Sequence, residues 1–146
     1  YQLSHEGQEM FPRDYGNFTI EILKNIEELD GQEKINELFE MRRKKLKEKY
    51  EKRMTSQSFE ERVYELANIH NEEGFMTEIE KREDGSFVFK EYNCPIAEVA
   101  RHFPSVCYSE LNLFKEVLQT EHVECKHCLA TGQDNHCYYI IKDMEE

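Results

Sequence analysis

The chain has 146 residues and carries 31 acidic against 19 basic side chains, for a formal net charge of −12. This length suits one domain with an extended helical element and argues against two independent globular domains. No apolar stretch is long enough to span a bilayer and no secretion leader is visible, so we expect a cytoplasmic protein. The excess of acids would repel a phosphate backbone.

The first part of the chain is predicted to be helical after a short irregular start. Apolar residues recur at helical spacing from Phe18 to Leu29, and Asp30-Gly31 is a typical helix end. A second helix with a narrow apolar seam continues to about Thr55, and such a seam favours packing against another helix. Residues 42–53 of this helix hold eight of the nineteen bases. We interpret them as a solvated helix face, with a surface flanking DNA as the alternative.

The hydrophobic period changes in the middle of the chain. Ser58 and Glu61 form a capping-box pair that predicts a helix ending near Gly74. Two alternating segments then flank the turn signal Asp84-Gly85, which predicts a β-hairpin over residues 75–93.

Two helices and a second hairpin are predicted in the last third. Pro95 and Pro104 each stand where a helix can begin. Strands are predicted for residues 121–128 and 136–142, joined by a polar segment that contains glycine. The predicted fold class is therefore α+β, with long N-terminal helices that we expect to mediate dimerisation, followed by a small α/β domain with two hairpins and two short helices.

Five cysteines are confined to this last third, and three histidines are interleaved among the last three. The cysteines are Cys94, Cys107, Cys125, Cys128 and Cys137. Their odd number and the lack of a visible secretion signal argue for reduced thiols and against a disulfide scaffold. Cys94 and Cys107 also fall where helices are predicted to begin, and a helix N-terminus lowers the pKa of a thiol. The pattern predicts a metal or redox site.

Two ligand sets compete for this site. A local set of Cys125, Cys128, His136 and Cys137 would make a tetrahedral zinc site if the last two strands pair as a hairpin. A distributed set of Cys94, Cys107 and Cys137 supplies only thiolates, which suits an iron–sulfur cluster and leaves the fourth ligand unassigned. Cys125 taken alone is equally compatible with a small core residue.

The distributed set belongs to a longer motif, which comprises Asn93-Cys94-Pro95-Ile96, Val99-Ala100, Pro104-x2-Cys107-x2-Glu110-x3-Phe114 and Gly132-x4-Cys137-Tyr138. The motif resembles the C-terminal sensor region of the SufR-type iron–sulfur repressors, bacterial winged-helix regulators related to the DeoR and ArsR groups. The beginning of the chain, Tyr1-x-Leu3-Ser4-x2-Gly7-x3-Phe11-Pro12-x2-Tyr15, resembles the exit from the winged helix-turn-helix of that family.

The resemblance implies a homodimeric transcription factor that holds a 4Fe–4S cluster on Cys94, Cys107 and Cys137 and changes its DNA affinity when the cluster is lost. The DNA-reading helix of such regulators lies upstream of the wing, so we expect DNA binding through an N-terminal winged-helix domain absent from this chain. Residues 1–16 would then be a remnant of the winged-helix exit, residues 17–57 the helical dimerisation segment and residues 58–146 the sensor domain.

Cys125 and Cys128 are additions to the three-cysteine pattern of that family. They can provide the fourth iron ligand or favour zinc, and the alternative function is a zinc-stabilised regulatory or protein-binding module without a redox role. An enzyme with Cys107 as nucleophile would need a base and an orienting group, and His102 alone supplies neither convincingly. We therefore expect no enzymatic activity, no small-molecule substrate and no membrane partner.

Overall fold

A computed structural model of the chain describes residues 15–54, 58–92, 96–127 and 137–143. The described helices are Tyr15–Asp30 (α1), Gln32–Glu51 (α2), Phe59–Glu72 (α3), Ala97–His102 (α4) and Ser105–Leu118 (α5). The described strands are Thr77–Lys81 (β1), Phe87–Glu91 (β2), Val123–His127 (β3) and Cys137–Ile141 (β4). The predicted α+β fold class is confirmed. Almost all of the predicted winged-helix exit, residues 1–14, lies outside the described residues.

Local signals in the sequence mark the ends of the N-terminal helices. Gly31 separates α1 from α2 with a φ of 89°, a left-handed conformation that glycine adopts without a steric penalty. The capping box at the start of α3 is also present: the Ser58 hydroxyl accepts from the Glu61 N–H, and the Glu61 carboxylate accepts from the Ser58 N–H. None of the described helices is both long and apolar enough to cross a membrane.

Replacing Ser58 with alanine is expected to lower the free energy of unfolding by about 1 kcal/mol, because the Glu61 N–H at the helix start loses its acceptor. Urea denaturation followed by circular dichroism measures this change. Ser58→Asp is the matched control, since aspartate is an equally good N-cap and should keep most of the stability. Equal losses in both variants would contradict the capping explanation.

The four strands form one antiparallel sheet in the order β1-β2-β4-β3. The β1–β2 hairpin turns at Gly85, where φ is 89°, and β3 pairs with β4, so both predicted hairpins are confirmed. The sequence did not predict that β4 also pairs along the whole of β2. That pairing joins the two hairpins into one sheet, with β3 at one edge and β1 at the other.

One face of the sheet packs against the helices. Alternate residues of β4, Cys137, Tyr139 and Ile141, are buried on this face, which we call the helix-facing side. Phe114 of α5 contacts Phe89 and Tyr139 there. The core also includes apolar residues from α2, α3 and α5 and from the turn that follows α2: Tyr50, Met54, Val63, Leu66, Ile69, Leu113, Val117 and Leu118. The long helix α2 therefore shares a core with the sheet.

The narrow apolar seam of α2 packs within this chain, mainly against α5 and also against α1. A second hydrophobic cluster joins α1 and α2 to α4 and the start of α5, and its buried members are Ile20, Ile35, Phe39, Ala100, Phe103 and Val106. Bases of the 42–53 stretch reach acids of other helices: Arg43 binds Glu116, and Arg53 binds Glu72 at 2.7 Å. These ion pairs connect α2 and the residues just after it to α5 and α3.

Candidate metal centre

Cys137 is the first residue of β4 and is almost fully buried, with 2% of its surface exposed. Glu91, the last residue of β2, lies directly opposite Cys137 in the antiparallel register and is equally buried. Side chains of directly opposite residues extend from the same face of a sheet. A thiol and a carboxylate therefore share one end of the helix-facing side.

Cys107 lies in the first turn of α5, three residues after Pro104, and is half-buried beside the second hydrophobic cluster. The direction of α5 locates it relative to the sheet. Phe114, in the middle of the helix, lies over Tyr139 with ring centroids 4.8 Å apart, and Thr120, just after the helix, donates to the carbonyl of Lys142 at 2.6 Å. The helix thus runs toward the Lys142 end of β4, and Cys107 lies toward the Cys137 end.

Cys125 lies on the edge strand β3 opposite Tyr139, so it extends from the helix-facing side and is diagonal to Cys137. Diagonal neighbours across an antiparallel pair are about 7–8 Å apart. Cys125 is exposed, and a register shift follows it at residues 125–127. The closeness of Cys137 to Cys125 follows from the predicted pairing of these two strands, which is confirmed.

The remaining predicted ligands lie outside the described residues. They are Cys94, Cys128 and His136, and the side chain of His127 is likewise not described. In the sequence, Cys94 follows Glu91 by three residues, and His136 immediately precedes Cys137. Within residues 15–54, 58–92, 96–127 and 137–143, no group of three or more histidine, cysteine, aspartate or glutamate side chains is arranged to hold a metal ion.

The structure adds a buried acid–base pair that the sequence analysis did not select. Nδ1 of His70 on α3 is hydrogen-bonded to Oε2 of Glu91, and the two side chains are 0% and 2% exposed. Burial alone would lower the pKa of His70, but the hydrogen bond and negative charge of Glu91, helped by Glu110 and Glu73, raise it above its usual value. The Glu91 carboxylate thus favours the protonated form of the His70 imidazole.

Aromatic rings surround the imidazole of His70. Phe75 stacks on it with centroids 4.3 Å apart, and Phe114, Tyr50 and Phe89 approach edge-on at 5.3, 6.0 and 6.1 Å. Within the described part of the chain, Nε2 of His70 is buried without a hydrogen-bond partner. The ring therefore has one polar contact, to Glu91, and its orientation is set by that contact and by the aromatic packing.

Two further polar pairs lie near the His70–Glu91 pair. The Tyr50 hydroxyl donates to Glu73 at 2.9 Å, and burial together with the Glu73 carboxylate raises the pKa of Tyr50. Arg42 of α2 binds Glu110 of α5 at 2.6 Å, and the Glu110 side chain is 8% exposed. Glu110 follows Cys107 by one helical turn, so the Arg42–Glu110 ion pair connects α2 to the part of α5 that carries Cys107.

Nearby ionisable side chains also affect the pKa of Tyr139. Burial raises its pKa well above the usual value, and Glu91, Cys137, Cys125 and Glu110 add to the effect. The side chains that influence Tyr139 thus come from β2, β3, β4 and α5.

Comparisons of the chain with protein-family models, with curated proteins and with solved structures give no match.

Proposed function

We propose that this chain is the sensor and dimerisation region of an iron–sulfur-dependent transcriptional regulator, with Cys94, Cys107 and Cys137 as ligands of a 4Fe–4S cluster. One observation carries the proposal. Cys107 and Cys137, thirty residues apart in the sequence, lie toward the same end of the layer formed by α5 and the sheet. Glu91 lies opposite Cys137, and Cys94 follows Glu91 by three residues in the sequence.

The donor chemistry suits such a cluster. Thiolates are the usual protein ligands of iron–sulfur clusters, and burial limits access of water and oxidants to them. Cys137 is buried and Cys107 half-buried, and Tyr139, two residues after Cys137 on the helix-facing side, packs against Phe114. Iron, sulfide and oxidants would determine whether the site holds a cluster, and the bound cluster would thus report their levels.

The contacts of α5 support a route from this site to the N-terminal helices. Cys107 is one turn from Glu110, and Glu110 binds Arg42 of α2 at 2.6 Å. A ligand on both Cys107 and Cys137 would connect α5 to β4. A shift of α5 would then move the ion pair and, with it, α2.

Dimerisation through the N-terminal helices is supported by the composition of α1. Ile20 is buried inside the chain, whereas Phe18, Ile22 and Leu29 are exposed by 64%, 44% and 82%. A helix with apolar residues on two faces is expected to have a partner on each of them. We propose that a second copy of this chain covers the outer face, and that DNA is bound through a winged-helix domain N-terminal to α1.

Anaerobic reconstitution with ferrous iron and sulfide tests the cluster. We expect a visible absorption band, with iron and sulfide bound in roughly equal amounts, as a 4Fe–4S cluster requires. Cys94→Ser, Cys107→Ser and Cys137→Ser should each remove most of the iron and the band, and circular dichroism checks that each variant is folded. A wild-type chain that binds no iron, or iron binding that survives all three substitutions, would contradict the proposal.

A zinc-stabilised binding module is the second candidate function, and the β3–β4 register favours it because Cys125 is diagonal to Cys137 on the same face. Four ligands from one hairpin would then be Cys125, Cys128, His136 and Cys137. Metal analysis of the purified chain separates the candidates. Colourless protein with one zinc that is lost in Cys125→Ser and Cys128→Ser supports the module, whereas iron and sulfide that persist in Cys125→Ser support the sensor.

A further inference from the structure

The face of the sheet opposite the helix-facing side, which we call the outer face, carries a cavity that the proposed function does not use. The cavity has a volume of about 400 Å³ and lies at the end of the sheet where the β1–β2 hairpin turns. Its lining combines basic and acidic side chains with the apolar Ile140. Pockets of this volume with a few converging polar groups are typical sites for small molecules.

The strand register places basic groups side by side in this lining. The Arg82 N–H donates to the Ser86 carbonyl at 2.8 Å, and the Lys142 N–H donates to the His122 carbonyl at 2.9 Å. The pairing of β2 with β4 brings Ser86 next to Lys142. Arg82, Lys142 and His122 therefore lie in one row across the sheet. Ile140 extends from the same face, because it precedes Lys142 by two residues.

Two acids on the β3 side of the cavity have basic partners. Glu124 binds Lys126 at 2.8 Å, and the hydrogen bond and charge of this lysine lower the pKa of Glu124. Glu121, whose side chain is 76% exposed, lies 4.0 Å from Lys115 of α5. Both carboxylates thus form ion pairs with lysines outside the row.

The third acid of the lining, Asp84, lies in the β1–β2 turn. Its Oδ1 accepts from the N–H and the hydroxyl of Ser86 at 2.9 and 2.6 Å. These bonds, and after them the positive charges of Lys142 and Arg82, lower the pKa of Asp84. Within the part of the chain that the structure describes, Arg82 and Lys142 form no salt bridge. One carboxylate in the turn therefore faces two cationic side chains.

The chemistry of the row suits an anion. Arg82 donates to the Tyr138 hydroxyl at 3.0 Å, and its remaining N–H donors can form the forked contact that fits a carboxylate or phosphate group. We infer that the cavity binds a small organic anion, with its carboxylate or phosphate group on Arg82 and Lys142 and an apolar portion against Ile140. The net charge of −12 argues against a nucleic acid as the occupant.

Titration of the purified chain with phenyl phosphate, followed by heteronuclear NMR of the backbone amides, tests the cavity. This probe joins an anionic group to an apolar ring, whereas inorganic phosphate and phenol each supply one part. We expect saturable shifts concentrated at Arg82, His122, Ile140 and Lys142, and tighter binding of phenyl phosphate than of either part. Benzoate, titrated in parallel, shows whether a carboxylate or a phosphate is preferred, and saturable binding of either one at these residues supports the site.

Substitutions identify the groups that bind the probe. Arg82→Gln and Lys142→Gln should each weaken binding of phenyl phosphate by about tenfold, because each removes a charge-assisted hydrogen bond. Ile140→Thr should reduce the advantage of phenyl phosphate over inorganic phosphate. Lys45→Gln is the matched control, since Lys45 is an exposed lysine of α2, and it should bind as the wild type does. Circular dichroism checks that each variant is folded.

Two results would overturn the inference: no saturable binding of phenyl phosphate or benzoate, or a loss in Lys45→Gln as large as in Arg82→Gln and Lys142→Gln. Added salt should weaken binding by the wild-type chain, and this check requires no variant. Binding that is insensitive to salt would contradict an anion site. The cluster proposal is tested separately by iron and sulfide binding, because its cysteines do not line this cavity.

Discussion

Replacing His70 with leucine is expected to lower the free energy of unfolding of the metal-free chain by about 3–5 kcal/mol. His70 is completely buried, and it is the hydrogen-bond partner of a carboxylate that is 2% exposed. Leucine fills part of the imidazole space but removes the hydrogen bond and the favourable charge that His70 provides to the buried Glu91 carboxylate. Urea denaturation followed by circular dichroism gives the change in the free energy of unfolding.

The double variant His70→Leu/Glu91→Leu separates the charge effect from packing. Removing both partners of a buried pair is often close to neutral, because no charge remains to be desolvated. We therefore expect the double variant to be clearly more stable than His70→Leu alone. A double variant as unstable as the single one would show that the loss comes from packing around the ring, and the charge explanation would be wrong.

Phe114→Ala is expected to cost about 3–5 kcal/mol, the usual range for truncating a buried phenylalanine. Phe114 has no exposed surface, and its ring contacts His70, Phe89 and Tyr139 at centroid distances of 5.3, 5.3 and 4.8 Å. It thereby joins α5 to α3 and to the two central strands. The alanine variant leaves a cavity that these rings cannot fill without moving.

Tyr108→Ala is the matched control on the same helix, because Tyr108 is 69% exposed and its removal should change stability by no more than about 0.5 kcal/mol. Both variants are measured by chemical denaturation under the same conditions. Equal effects of the two substitutions would contradict the assignment of α5 as the helix that packs on the sheet. A loss in Phe114→Ala below that of the control would do the same.

Features encoded by neighbouring residues could be predicted from the sequence. The Ser58 and Glu61 capping box and the Asp84-Gly85 turn act within a few residues, and the structure has both. The pairing of β2 with β4 could not be predicted, since it joins residues 46 to 54 positions apart in the sequence and no local period encodes it. The long helix predicted to continue to about Thr55 ends at Glu51, which is ordinary uncertainty at a helix end.

The part of the candidate site that depends on neighbouring elements could also be predicted from the sequence. The pairing of β3 with β4 locates Cys137 near Cys125, and that pairing could be predicted because the two strands are adjacent in the sequence. The His70–Glu91 pair was missed although each residue carries a signal: His70 continues the apolar spacing of Val63 and Leu66 on α3, and Glu91 continues the alternation of Phe87 and Phe89. Each is a polar residue at a core position. Their mutual contact depends on how α3 packs on the sheet.

The position of β4 has a consequence for how the chain acquires its structure. Of the described strands it is the last to be synthesised, yet it is a central strand of the sheet, between β2 and β3. During translation the β1–β2 hairpin can form early, whereas β3 has no described neighbour until β4 emerges from the ribosome. Sheet formation therefore waits for distant contacts, which slow folding. Nascent chains that stall before residue 137 would expose the unpaired edge of β2. The backbone groups of that edge could then pair with strands of other chains.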